Sequence, residues 1–384
     1  MKRTQILALM LLMTTTSSAV TDENNGQRKK RMVVEAAPDF VRPYVLPKYR
    51  GRATLLSRTE VIRHSVTANS SAGAFSLVQH NGKQTGYASA RFHSHKHVDE
   101  HVYCARGRVE LWAQKNVSRS TQEARVALPG DYGSFPIGTV HTFQLIDNDA
   151  QLSHIFSPAG FEHLFDVFSG GDFDTSGVSS PYVPHAPDEP SFGPLTPKMK
   201  ETLASLDLYE QEEWVPRRDL VNGTAGSGRF RWHDGANELL TTVGDPYFVA
   251  KDRGPKYLNT EAGYKIIQPL AMAATSPNLT VGTVIMSPKL GNESASTATL
   301  PHHFALQMED GQLVLDVEGY EKASLLHGDV AFVPSGVQFS YHATVPFTKF
   351  LYINAGKQGL DHQLLKKARP WELPAYPTYA GVKV

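Results

Sequence analysis

The residues best suited to chemistry stand together in Arg91 to Gly107, which reads RFHSHKHVDEHVYCARG and carries His93, His95, His97 and His101 beside Asp99 and Glu100. Imidazoles and carboxylates placed in a strand lose hydration unless they are paired or bound to a metal ion, so a run this dense points to metal ligation. Imidazole and carboxylate together suit copper, iron, manganese, nickel or zinc, and ligand type alone does not choose among them.

Strand geometry limits which of these groups can act together. Side chains alternate faces, so His93, His95, His97, Asp99 and His101 share one face of an unbroken strand and Glu100 points the other way. A bend or bulge after His95 returns Glu100 to the face of His93 and His95, and bulges are common at barrel rims and active sites. Read on its own, the stretch leaves His97, Asp99 and Glu100 open. A second stretch, Gly130 to His141, reads GDYGSFPIGTVH: a strand ended by a Pro-Ile-Gly turn that delivers one more histidine.

Together the two stretches resemble the cupin motifs. The first family pattern, H-x-H, four residues, E, six residues, G, is met by His93, His95, Glu100 and Gly107; the second, G, five residues, P-x-G-x-x-H, is met by Gly130, Pro136, Gly138 and His141. The resemblance implies a β-barrel whose interior holds one divalent transition metal through His93, His95, Glu100 and His141.

The elements that must position such a site can be read from the rest of the chain. At 384 residues it suits two domains, each able to bury its own core. Lys+Arg and Asp+Glu both number 38, so there is no electrostatic footprint for nucleic acid or an anionic membrane, and a small molecule is the expected partner. Met1 to Ala19, with Lys2 and Arg3 before the apolar run Ile6 to Met13, reads as a secretory signal peptide, which predicts an exported protein. Residues 20–31 read as a propeptide trimmed at Arg28-Lys29-Lys30-Arg31, or equally as a solvated charge run. Five sequons, at Asn69, Asn116, Asn222, Asn278 and Asn292, agree with export and predict glycosylation. Cys104 is the sole cysteine, so no intrachain disulfide forms, and its apolar strand predicts a buried, inert thiol.

Short runs rich in Val, Leu, Phe and Tyr, separated by turns such as Asn81-Gly82, Asn148-Asp149 and Asp310-Gly311, predict an all-β fold. Phe161, Leu164, Phe165 and Phe168 are spaced for one helical face that Gly170 stops. Residues 169–211 read as a linker with one helix, N-capped by Thr196 with Pro197 in its first turn and Met199, Leu203 and Leu206 as its apolar stripe. The second half repeats the first: PYVLPKYRG at Pro43 is echoed by PYFVAKDRG at Pro246, and Gly130 to His141 by Gly328, Pro334, Gly336 and Phe339. The chain therefore reads as two cupin jelly-roll barrels in tandem, 32–168 and 212–366, with a few short helices and a tail over 367–384. Aligning Gly311 with Gly107 sets Thr297, Thr299, Phe304 and Phe339 where the first domain has its ligands, so the second domain is expected to hold no metal.

The whole layout most resembles the fungal quercetinases, the flavonol 2,4-dioxygenases also called quercetin 2,3-dioxygenases. The points of likeness are the leader, the sequons, HSHKHVDE, the metal-free second cupin and the long linker. That resemblance implies copper as the favoured metal, with iron, manganese and nickel also fitting. It implies a flavonol substrate whose 3-hydroxyl proton goes to Glu100, and cleavage of the heterocycle by O2 with release of carbon monoxide. Val102 and Phe143, two residues beyond ligands on the same strand faces, are candidates for an apolar substrate wall. Two other readings remain: an oxalate oxidase or decarboxylase using manganese, for which Arg91 is the nearest arginine, and a secreted binding protein with a structural metal. An oligomer is compatible with the sequence.

Overall fold

The computed structural model describes residues 29–56, 59–86, 88–115, 122–174, 194–218, 220–221, 224–225, 239, 242–377 and 379. The fold is all-β: two sandwich-like barrels, each made of a larger and a smaller antiparallel sheet, with short helices at His163–Val167, Pro197–Ser205 and Leu360–Leu365. The expected leader and the sequons at Asn116 and Asn222 lie outside the described residues.

Alternation decides what each strand contributes. Along Asp99–Arg106, Glu100, Val102 and Cys104 turn into the first barrel, where Val102 and Cys104 pack with Leu111, Phe135, Phe143 and Leu152. Tyr103, on the other face, joins Tyr44, Phe75, Phe332, Leu351 and Ile353 in a core shared by the larger sheets of the two barrels. That interface also holds a polar contact, with Gln307 Oε1 accepting from Gln79 Nε2 at 3.2 Å and Ser153 Oγ at 2.9 Å. The second barrel is filled by Leu306, Leu315, Phe304, Phe339 and Tyr352.

The expected partition into 32–168 and 212–366 does not follow the sheets. Tyr44–Leu46 pairs antiparallel with Val330–Val333 of the second barrel, and Tyr247–Val249 pairs in the same way with Tyr132–Phe135 of the first. The exchanged strands reach the partner's interior, Val45 packing in the second core and Phe248 in the first. The repeated Gly-Asp pair secures each exchange. Asp131 Oδ1 accepts from Lys251 N at 2.6 Å, and Asp329 Oδ1 from Lys48 N at 2.8 Å. Gly130 has φ +101°, and a Cβ there would lie 2.7 Å from Lys251 Cγ; at Gly328, with φ +89°, the same atom would lie 2.6 Å from Lys48 Cγ. The glycine of the second motif thus serves a left-handed turn and the close passage of the exchanged strand.

The linker helix packs on the first barrel through Leu203, which joins Ile62, Val78, Phe156 and Phe165. Thr196 Oγ1 caps it by accepting from Met199 N at 3.3 Å. Met199 itself is 40% exposed, so the expected stripe narrows to Leu203 with Leu206 at its edge. The cause is length: nine residues give only two and a half turns, and one turn faces the barrel.

Gly130→Ala is expected to destabilise the protein by about 1–3 kcal/mol, the cost of a non-glycine residue in a sparsely populated backbone region. Because the crowded strand joins both barrels, calorimetry should show one transition shifted as a whole; loss of the first barrel alone would contradict the exchange.

Candidate metal centre

The strand carrying His93 is only two residues long, His93–Ser94, and the next strand begins at Asp99. Between them the chain turns because Asp207 of the linker gathers its amides. Lys96 N donates to Asp207 Oδ1 at 3.0 Å, and His97 N and Val98 N donate to Oδ2 at 3.0 and 3.1 Å. That turn separates the alternatives the sequence left open. His97 is exposed and bonds Asp207 Oδ1 at 2.9 Å through Nδ1. Asp99 Oδ1 accepts from Ile137 N at 2.9 Å, and His101 sits on the outer face with Nδ1 2.6 Å from Tyr132 Oη. Glu100 instead faces the interior with His93, His95 and His141, all four buried.

One ligand atom from each of those four residues lies within 4.8 Å of the others. The arrangement fits a metal ion in chemistry as well as in spacing. His93 Nδ1 donates to Arg91 O at 2.7 Å, His95 Nδ1 to Asp207 O at 2.7 Å, and His141 Nδ1 to Thr139 O at 3.0 Å. A ring whose Nδ1 carries the proton presents a bare Nε2 lone pair, which is the form a metal takes. Packing holds the rings: His93 and His141 are paired in register, Phe135 stacks on His141 at 4.6 Å, and Phe161 meets His95 edge-on at 4.5 Å.

Burial drives the His93 imidazole well below its ordinary pKa, and the neighbouring rings of His141 and His95 add to this, so it is neutral. Burial alone would raise the Glu100 carboxyl, but the imidazoles of His141, His154 and His95 crowded around it hold it well below the usual carboxylate range. Its Oε2 lies 2.9 Å from His141 Nε2 and 3.2 Å from His95 Nε2, while Oε1 lies 2.7 Å from His154 Nδ1.

Sequence reasoning missed two residues here. His154, on Ala150–Ser157, faces the interior because it is paired with the inward-facing Val102, a neighbour that the sequence does not mark. Asp207 had only a weak signal, an acidic residue after a helix, in the left-handed region at φ +65°. Linker residues Tyr209–Glu210 also pair with His93–Ser94, so the linker completes the sheet at the site. The substrate-wall candidates Val102 and Phe143 both line the interior, Phe143 with its ring 5.2 Å from those of His80 and His154. Arg91 is bound to Glu210.

In the second barrel the equivalents of His93 and His95 are Ala298 and Leu300, not Thr297 and Thr299. Ala298 pairs with Phe339 as His93 pairs with His141, and Gly336 N donates to Leu300 O as Gly138 N does to His95 O. The connecting turn is one residue shorter, which the ungapped alignment could not register. Thr297 and Thr299 face solvent, and Ala298, Leu300, Phe304 and Phe339 pack together as core.

No protein-family model matches the chain. Quercetin 2,3-dioxygenase of Aspergillus japonicus is 38% identical over 348 residues, which covers 90% of this chain and 98% of that protein. Quercetin 2,3-dioxygenase of Bacillus subtilis (strain 168) is 23% identical over 327 residues, covering 83% and 84% respectively. Among solved structures, a deletion mutant of the Bacillus subtilis oxalate decarboxylase superposes with a TM-score of 0.49 at 17% identity, over 86% of this chain and 82% of that one.

The metal-stripped protein is expected to take up one equivalent of a divalent transition metal, and a His93→Ala, His95→Ala double variant none. Asp207→Ala should weaken that binding by about 10- to 100-fold, the usual cost of losing a group that orients a ligand. Chelator competition measures both; two equivalents in the parent, or retention by the double variant, would refute the ligand set.

Proposed function

The chain belongs to the quercetin 2,3-dioxygenase family, and on that premise we propose that it opens the heterocyclic ring of flavonols such as quercetin with O2, releasing carbon monoxide. Membership makes it an oxygenase; the metal, the products and the residue roles are the proposal. His93, His95, Glu100 and His141 would hold the metal, with copper favoured on the family resemblance. The ion's contribution when bound is to offset the negative charge of the deprotonated substrate.

The observation that carries the reading is Glu100. It is an ionised carboxylate in a closed interior, with Oε2 at the convergence of the imidazoles and Oε1 held by His154. A base in that position takes the flavonol's 3-hydroxyl proton on Oε2 without leaving its place. Val102 and Phe143 offer the flat aromatic substrate an apolar surface beside it. The burial of the site keeps bulk water from competing for the proton and strengthens every charge interaction within it.

Oxalate is the weaker reading. A small dianion calls for a cationic donor at the metal, and the nearest arginine, Arg91, is taken by Glu210.

We further propose that the protein is exported and glycosylated. Support comes from the tripartite sequence of Met1 to Ala19 and from the exposure of Asn69, Asn278 and Asn292, the three sequon asparagines among the described residues. Glycosidase treatment of protein from culture medium is expected to increase its mobility, and N-terminal sequencing to find residues 1–19 removed. An intracellular, unshifted product would overturn this.

The catalytic assignment predicts that Glu100→Gln keeps its fold and at least part of its metal but loses about 10²- to 10⁴-fold in flavonol-dependent O2 uptake, the range for a lost general base. Asp99→Asn, at a carboxylate that accepts from Ile137 N and lies outside the ligand set, should remain active. The reverse pattern would refute both the base and the reaction.

A further inference from the structure

Each imidazole of the metal set is oriented by a main-chain carbonyl, but the carboxylate is oriented by another side chain. His154, on the strand Ala150–Ser157, is 2% exposed, and its Nδ1 lies 2.7 Å from Glu100 Oε1. A carboxylate that serves as a metal ligand is deprotonated and only accepts, so His154 is the donor and carries its proton on Nδ1. Its ring is not free to turn. It stacks on Phe156 at 5.9 Å and 11°, and lies against Phe143 at 5.2 Å and His80 at 5.8 Å. The remaining nitrogen, Nε2, is buried and has no hydrogen-bond partner among the described residues.

We infer that His154 is a positioning residue for Glu100: its Nδ1–H commits Oε1, so that only Oε2 is presented to the point where the ligand nitrogens converge. A carboxylate without such a tether can turn about its terminal torsion, which is broad, and offer either oxygen or both. The tether would make Glu100 a one-oxygen ligand and keep the same oxygen available for the substrate proton.

The chain's own repeat supplies an independent observation. By strand register, Phe304 occupies the place of Glu100, and Tyr352 faces Leu306 as His154 faces Val102. The second barrel therefore lacks the histidine as well as the ligands, and Tyr352 is buried in its apolar core.

This inference rests on the four-residue metal site of the proposed function, and its test separates the two. The parent and three variants, His154→Asn, His154→Gln and His154→Leu, are stripped, loaded with cupric ion and compared by electron paramagnetic resonance, chelator competition and O2 uptake with quercetin. The asparagine amide nitrogen overlays Nδ1, whereas the glutamine amide is one bond too far. His154→Leu and His154→Gln should show an altered copper spectrum and a kcat lower by about 10- to 100-fold, the typical cost of a lost partner to a ligand, with KM little changed. His154→Asn should restore the parent spectrum and most of kcat. If His154→Leu matches the parent, or if asparagine does no better than glutamine, the inference fails; should leucine not fold, the asparagine and glutamine pair decides alone. A parent that binds copper but consumes no O2 with quercetin would sink the flavonol reading, while the spectra would still decide the role of His154.

Discussion

The site depends on a simple constraint: a polar ring buried in a barrel must have a partner for its N–H. In His93, His95 and His141 that partner is a main-chain carbonyl on Nδ1, of Arg91, Asp207 and Thr139 respectively. Satisfying the outer nitrogen fixes tautomer and ring direction at once, and the inner nitrogens converge as a result. Two of those carbonyls lie two residues before the histidine they hold, so short strands suffice to place them. The third comes from the linker, and with it the turn at 96–98 becomes part of the centre. Removing the linker would therefore undo the site even though the linker supplies none of the four ligands.

What could be read from the sequence follows from how local each feature is. The four residues that the structure brings together are those marked by spacing, because they sit in two short stretches whose geometry is set within a few residues. The all-β class was legible for the same reason, in alternating runs and turn pairs. The bend that admits Glu100 was not, because its cause is a carboxylate 110 residues from His97. His154 hid in an ordinary strand, where an inward histidine has no mark until its neighbour across the sheet is known. The exchange of Tyr44–Leu46 and Tyr247–Val249 left only a repeated sentence in the chain, and nothing in such a repeat tells which sheet it joins.

The two barrels show what the metal set costs its scaffold. Both use the same order over seven strands of their larger sheets, to which the second adds Ala368–Pro370 at the edge. Where the first buries three imidazoles and a carboxylate, the second buries Ala298, Leu300, Phe304 and Phe339, with the two phenyl rings stacked at 5.5 Å. A fully buried phenylalanine contributes roughly 1.5–3 kcal/mol relative to an exposed one, whereas buried polar groups stabilise only when every partner is present. The second barrel is thus apolar at the place where the first is polar, and the larger sheets of the two share a core.

The strand exchange also sets a schedule for the ribosome. Tyr44–Leu46 leaves the exit tunnel early, but the strand it pairs with, Val330–Val333, is among the last parts of the fold to be made. The first barrel in turn lacks an edge until Tyr247–Val249 emerges. Through most of translation the nascent chain carries one orphan strand and one open sheet edge, each a template for unwanted pairing. The edge closes once Tyr247–Val249 is made, but the orphan strand waits for Val330–Val333, so a prematurely terminated product is left with an unpaired strand rather than a small working enzyme.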